Sequence, residues 1–114
     1  MKCELIAKHC QPCEGGISPL KKNEAEKLLD KIPGWSLSEE GKTISRRFEF
    51  KGFYKTMSFV NAVAWIANQE GHHPEMKISY SVCEISYTTH AIGGLSENDF
   101  ICAAKVNELI TQVE

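Results

Sequence analysis

Apolar positions recur along this chain in two rhythms, one every three to four residues and one every second residue, and the switches between them mark its elements. Ala25, Leu28, Leu29 and Ile32 follow helical spacing after Asn23, a candidate N-cap with Glu26 three residues on, and Pro33-Gly34 stops the run. This predicts a first helix over about 23–32. Trp35 and Leu37 alternate with serines, Glu39-Glu40-Gly41-Lys42 supplies a turn, and Ile44, Phe48 and Phe50 resume the period of two, which reads as a hairpin.

Beyond Gly52 the helical rhythm returns. Phe53, Met57, Val60, Ala64 and Ala67 form one stripe, widened by Phe59, Val63 and Ile66, and Gly71 is placed to end the helix after Glu70. Trp65 on this helix reads as a core or rim aromatic. From Met76 to Thr89 the chain is rich in Ile, Val, Tyr and Thr, with an apolar phase that shifts near Val82-Cys83, so two strands joined by a tight turn are expected. Gly93-Gly94 closes the sheet. Ser96 with Asp99 reads as a capping box opening a last helix whose stripe is Ala103, Val106, Ile110 and Val113.

The order is helix, two strands, helix, two strands, helix. Short turns impose antiparallel pairing within each hairpin, so the expected class is α+β: a four-stranded antiparallel sheet with three helices on one face. Residues 1–20, with Pro12, Gly15-Gly16 and Pro19 and little periodicity, read as an irregular lead-in to a single domain over 21–114. One sheet face and the sheet edges are left without cover, which points to self-association.

Composition narrows the classes of function. Thirteen basic residues against fifteen acidic give a formal charge of -2, and no element carries a basic stripe, so phosphate-backbone binding to nucleic acid is not expected. The N-terminus lacks a signal-peptide apolar core and no span is long enough to cross a membrane, which makes the cytoplasm the expected compartment. Five cysteines, an odd number, suit reduced thiols, with Cys83 and Cys102 as small core residues. Cys10-Gln11-Pro12-Cys13, with His9 and Cys3 nearby, is a lone C-x-x-C and reads first as a turn whose thiols pack beneath the lead-in.

The chemistry lies with histidine, the side chain that exchanges protons near neutral pH. Three of the four histidines, His72, His73 and His90, fall within nineteen residues. Pro74 disfavours helical geometry at His73, so the His72-His73 pair occupies an extended corner just past a helix end, its two rings pointing different ways. Helix-end carbonyls favour positive charge there, which suits a ring that delivers a proton. His90 is expected at the end of the last strand, on the face opposite Ile85, Tyr87 and Thr89. Should the two corners meet, a proton donor and a proton acceptor would face one ligand. A zinc site built from the three rings ranks lower, because neighbouring histidines rarely share an ion and no H-x-E or H-E-x-x-H spacing is present.

The spacing is more specific than the residue types. His72-His73-Pro74, Tyr80 after five intervening residues, His90 after nine and Asp99 after eight resemble the pterin-4a-carbinolamine dehydratases. Thr88-Thr89-His90, Gly94-Leu95-Ser96, the segment Cys10–Gly16, Pro19-Leu20 and Gly34-Trp35 match in the same way, with the N-terminal segment similar to bacterial members. The resemblance implies the element order read above, assembly as a homodimer or homotetramer, and loss of water from a 4a-hydroxytetrahydropterin to give the quinonoid dihydropterin. It implies no metal and no separate cofactor, the pterin being the substrate, and an aromatic amino acid hydroxylase as the partner whose pterin is recycled.

The same resemblance implies His72, His73 and His90 as catalytic residues. It makes Pro74, Thr89, Asp99 and Asn68 substrate-site residues, with Asp99 orienting His90 or supporting the pocket wall. Asn68 stands where the family usually has an acidic residue, a change expected to weaken pterin binding or lower turnover. Animal relatives also serve as dimerisation cofactors of a homeodomain transcription factor, so a protein-interaction role is the alternative class.

Overall fold

The computed structural model describes residues 4–11 and 18–113. Cys3, Pro12, Cys13 and the Glu14–Gly16 part of the N-terminal motif lie outside the described residues. The elements are α1 (Lys22–Leu29), β1 (Ser36–Leu37), β2 (Ile44–Glu49), α2 (Phe53–Glu70), β3 (Glu75–Ile78), β4 (Val82–Tyr87) and α3 (Glu97–Val113). The four strands form one antiparallel sheet in the order β1-β2-β4-β3, and with the three helices they make the α+β class and element order that the pattern predicts.

The period of two sorts the sheet into two faces. Ile44 and Phe48 of β2 lie opposite Tyr87 and Cys83 of β4, and Met76 and Ile78 of β3 lie opposite Ile85 and Cys83. Ile44, Phe48, Cys83, Ile85 and Tyr87 are buried beneath the helices. On the other face Ser45, Arg47, Glu84 and Ser86, with Glu75 and Lys77, line an open concavity of about 530 Å³.

The second hairpin turns at Ser79–Ser81, closed by Ser79 N–H donating to the Val82 carbonyl at 2.9 Å. This is two to three residues before the phase shift near Val82-Cys83. No Gly or Pro marks that turn, and Tyr80 stands at its tip, 71% exposed.

Helix α2 docks by a face rotated from the expected stripe. Thr56, Phe59, Val60, Val63, Ile66 and Ala67 are buried, whereas Phe53, Ala64 and Trp65 are exposed. The rotation turns the bulky Phe59, Val63 and Ile66 inward and Ala64 outward, while Val60 and Ala67 stay buried, and so removes more apolar area from water. Phe59 sits 4.7 Å from the Phe48 ring and 5.0 Å from Phe50; truncating it to alanine would cost about 3–5 kcal/mol. Buried Thr56 is tolerated because its hydroxyl reaches the Gly52 carbonyl at 2.8 Å and the Tyr80 carbonyl at 3.1 Å, which ties the start of α2 to the β3–β4 turn.

Helix α1 starts one residue early and ends at Leu29. Its first turn is capped by Glu24, whose carboxylate accepts the Lys21 N–H at 2.9 Å, in place of the Asn23/Glu26 pair. Ile32 lies beyond the helix yet is fully buried. In α3 the burial is broader than one stripe: Phe100, Ile101, Cys102 and Ala104 join Ala103 and Val106, while Ile110 is half-buried.

The lead-in is partly structured. Glu4–Ala7 form a 3-10 turn with Leu5 buried, and Lys8 pairs with Glu97 at 2.8 Å. Among the described residues no helix is long and apolar enough to cross a membrane.

Candidate active site

The site is built where three chain segments meet at one end of the helix layer. Helix α2 ends at Gly71, which adopts the left-handed conformation (φ 64°, ψ 29°) that glycine accepts without strain. The N–H groups of Gly71 and His72 both turn back to the Ala67 carbonyl, which fixes the direction in which His72 leaves the helix. Pro74 follows, and β3 begins at Glu75. The His72-His73 corner is therefore set by a helix cap on one side and a strand on the other.

The second segment follows β4. Thr89 exchanges backbone hydrogen bonds with Gly94, its N–H reaching the Gly94 carbonyl at 2.9 Å. Between them His90–Ile92 form a single 3-10 turn. His90 thus lies on a turn after the sheet rather than on the strand itself, and it is exposed. Gly94 is packed so closely that a Cβ there would fall 2.8 Å from Pro19.

The two corners meet. A cleft of about 490 Å³ is lined by His72, His73, Thr88, Thr89 and His90, together with Cys10, Gln11, Glu70 and Asn98. Asn68 is exposed on α2 and, like Pro74, lies outside this lining.

Behind His72 stands Asp99. His72 Nε2 lies 2.6 Å from Asp99 Oδ1, and the Asp99 side chain is wholly buried. Its other oxygen accepts the Thr89 hydroxyl at 2.8 Å and the Ser96 N–H at 3.0 Å. The Ser96 hydroxyl lies 2.9 Å from Thr89 Oγ1. With Thr89 donating to Asp99, Ser96 donates to Thr89, and each of these side-chain groups has a partner.

Asp99 is thus half of the expected capping box, and it supports His72 rather than His90. An acceptor-only carboxylate requires the hydrogen on Nε2, which leaves Nδ1 of His72 as the ring nitrogen free to exchange a proton. Stacking holds the same ring: Tyr87 lies parallel to His72, 10° between planes and 5.8 Å between centroids. The buried Tyr87 hydroxyl has no hydrogen-bond partner among the described residues. Burial, with Cys102, Cys10 and Asp99 adding, pushes this phenol well above its usual range, so it remains neutral.

Glu70 forms a second anchor that the sequence reading missed. Its side chain is only 5% exposed. One carboxylate oxygen accepts the Cys10 N–H at 2.7 Å; the other faces His9 at 3.0 Å and Lys105 at 3.7 Å. Burial pushes the Glu70 carboxyl upward, but the Cys10 N–H, His9 and Lys105 together outweigh it and hold the group below its ordinary value.

Asn98 grips the next residue from both sides: its Oδ1 accepts the Gln11 N–H at 3.0 Å and its Nδ2 donates to the Gln11 carbonyl at 2.6 Å. Beneath them the Cys10 and Cys102 sulfurs lie 3.5 Å apart. Burial pushes the Cys83 thiol up to about 11, as suits an inert core residue. Among the described residues no three His, Cys, Asp or Glu side chains converge as metal ligands would.

Residues 18–109 match the family model described as pterin 4 alpha carbinolamine dehydratase. A protein of Nitrosomonas eutropha, assigned provisionally by name to pterin-4-alpha-carbinolamine dehydratase, is 59% identical over 109 residues, covering 95% of each chain. A Legionella pneumophila protein with the same provisional name is 46% identical over 111 residues, covering 96% of this chain and 98% of its own.

Among solved structures, a Brucella melitensis protein described as a transcriptional coactivator/pterin dehydratase superposes with a TM-score of 0.77. It is 29% identical and covers 81% of this chain and 98% of its own. A pterin dehydratase-like RuBisCO assembly factor of the alpha-carboxysome shares the fold at a TM-score of 0.58 and 22% identity, covering 67% of this chain and 88% of its own. The chain belongs to the pterin-4-alpha-carbinolamine dehydratase family.

Proposed function

We propose that this protein removes water from a 4a-hydroxytetrahydropterin by proton transfer between histidines in the cleft. The carrying observation is the His72–Asp99 pair at 2.6 Å, with His72 opening onto the cleft that His73 and His90 also line. In the reaction the C4a–O bond breaks and oxygen leaves as water after gaining a proton. N5 loses its proton, and the electron pair of that N–H bond becomes the C4a–N5 double bond.

His72 takes the N5 proton through Nδ1, because the carboxylate behind it stabilises the positive charge the ring acquires. His73, with no hydrogen-bond partner of its own among the described residues, supplies the proton to the departing hydroxyl, and His90 holds that hydroxyl. Thr89 acts through Asp99. The chemistry requires no bound cofactor, since the pterin is itself the reactant.

The corresponding physiological role is recycling of the pterin used by an aromatic amino acid hydroxylase in the cytoplasm. Purified protein should accelerate loss of the 4a-hydroxy intermediate's ultraviolet absorbance, and His72→Ala and His73→Ala should each remove most of that acceleration. Wild-type protein that leaves the spontaneous rate unchanged would contradict the reading.

Assembly into a homodimer or homotetramer is part of the proposal. The exposed Phe53, Tyr54 and Trp65 of α2 and the free edge of β3 support it, the first leaving apolar side chains and the second backbone groups in water. The α2 surface is also the one a regulatory partner would use if the protein serves as an interaction cofactor. Sedimentation equilibrium tests the assembly, and a monomeric mass at micromolar concentration would refute it.

A further inference from the structure

The lead-in segment is fastened at the cleft wall by side chains of two helices. Glu70 holds the Cys10 N–H, and Asn98 takes both the N–H and the carbonyl of Gln11. Two buried side chains from two different helices thus fix two consecutive residues of the segment. Cys10 and Gln11 both line the cleft with the three histidines. With its backbone spoken for, Gln11 has one uncommitted group. Its side-chain amide is exposed and makes no hydrogen bond among the described residues.

A primary amide offers a donor and an acceptor side by side. A pterin carries the complementary pair in the lactam of its pyrimidinone ring, where the 4-oxo group accepts and N3–H donates. That carbonyl carbon is bonded directly to C4a, the carbon that loses its hydroxyl, so a ring held by the histidines presents its lactam close by. We infer that Gln11 is a specificity residue of the pterin site, its amide pairing with the lactam edge, and that Glu70 and Asn98 are positioning residues that hold it there.

This inference deepens the dehydratase reading and rests on it for the identity of the ligand. The contact is made equally in ground and transition states, because the lactam does not react, so it governs affinity more than turnover. Loss of a solvent-accessible amide pair weakens binding roughly tenfold.

The test measures binding of 7,8-dihydropterin and of its N3-methyl derivative, by titration calorimetry, to wild-type protein, Gln11→Ala and Asn98→Ala, alongside KM and kcat for each. Wild type should bind dihydropterin roughly tenfold more tightly than the N3-methyl compound. Gln11→Ala should bind both alike, with KM raised by a similar factor and kcat little changed. Asn98→Ala should move in the same direction, since the segment is then unheld.

Gln11 is exposed, so its variant folds as the wild type does. Equal dihydropterin affinity in wild type and Gln11→Ala, or N3 discrimination retained in that variant, overturns the inference. Wild type that binds dihydropterin with this discrimination but fails to dehydrate the carbinolamine would sink the activity reading and leave the Gln11 contact standing. Wild type that binds neither pterin overturns both.

Discussion

Replacing Asp99 by asparagine keeps the shape of the site and reverses the polarity of one hydrogen bond. The two donors on Oδ2, the Thr89 hydroxyl and the Ser96 N–H, can both be met by the amide oxygen. The amide nitrogen then falls in the Oδ1 position, 2.6 Å from His72 Nε2 in the wild-type geometry. Nε2 must become the acceptor, so the ring hydrogen moves to Nδ1, and the nitrogen proposed to take the N5 proton changes from acceptor to donor.

Loss of a charge-assisted bond is worth about 1.5–3 kcal/mol, or roughly 10- to 150-fold in rate. The wrong tautomer adds to that, as comparable carboxylate-to-amide changes at histidine bases do. The expected fall in kcat is therefore about 10²- to 10⁴-fold, with stability changed by less than about 2 kcal/mol because no donor is left unpaired. Stopped-flow decay of the 4a-hydroxy intermediate measures the rate, and nitrogen-15 NMR of the imidazole reports the tautomer. A folded Asp99→Asn protein with kcat within threefold of wild type would refute the claim that Asp99 sets the state of His72.

Other expectations follow from the same contacts. Thr89→Val removes the hydroxyl that bonds Asp99 and accepts from Ser96; it should cost about 1–3 kcal/mol in urea denaturation and lower kcat roughly tenfold, and a silent substitution would show that Thr89 is not part of the chain. Tyr87→Phe deletes a buried hydroxyl without a partner, so stability should change by less than about 1 kcal/mol while the stack on His72 persists; a loss of several kcal/mol would reveal a bond at that oxygen. Glu70 titrates below the ordinary glutamate value of 4.5, so the unfolded chain binds more protons than the folded one in that range. Its contribution to stability is full above that value and is lost as pH falls through the folded-state value. Glu70→Gln should flatten the acid limb of the stability profile, and an unchanged limb would mean that the carboxylate's contacts do not persist in solution.

The element order was legible because two rhythms and their breakers, Pro33-Gly34, Gly52, Gly71 and Gly93-Gly94, separate cleanly along the chain. The turn at Ser79–Ser81 was not, since it is built from residues that serve equally well in strands, and only pairing with β2 decides where β4 begins. The docking face of α2 was misjudged by a rotation because two overlapping apolar stripes run along that helix and the sheet, not the helix, chooses between them. At the site, the histidines and Asp99 could be picked out, the latter as a cap and by its spacing. Its partner could not, because His72 and Asp99 are joined only by tertiary structure. Glu70, Asn98 and Tyr87 carried no signal for the same reason: a glutamate at a helix end and an asparagine in a first turn look ordinary until the lead-in folds back on them.

The central claim is that His72, His73 and His90 surround one pterin ring. A crystal structure with a 5,6,7,8-tetrahydropterin bound, whose N5 carries the hydrogen that Nδ1 accepts, tests it most directly. It should place N5 within hydrogen-bonding distance of His72 Nδ1, with His73 and His90 around C4a. A pterin seated instead in the concavity of the open sheet face, away from the histidines, would contradict it.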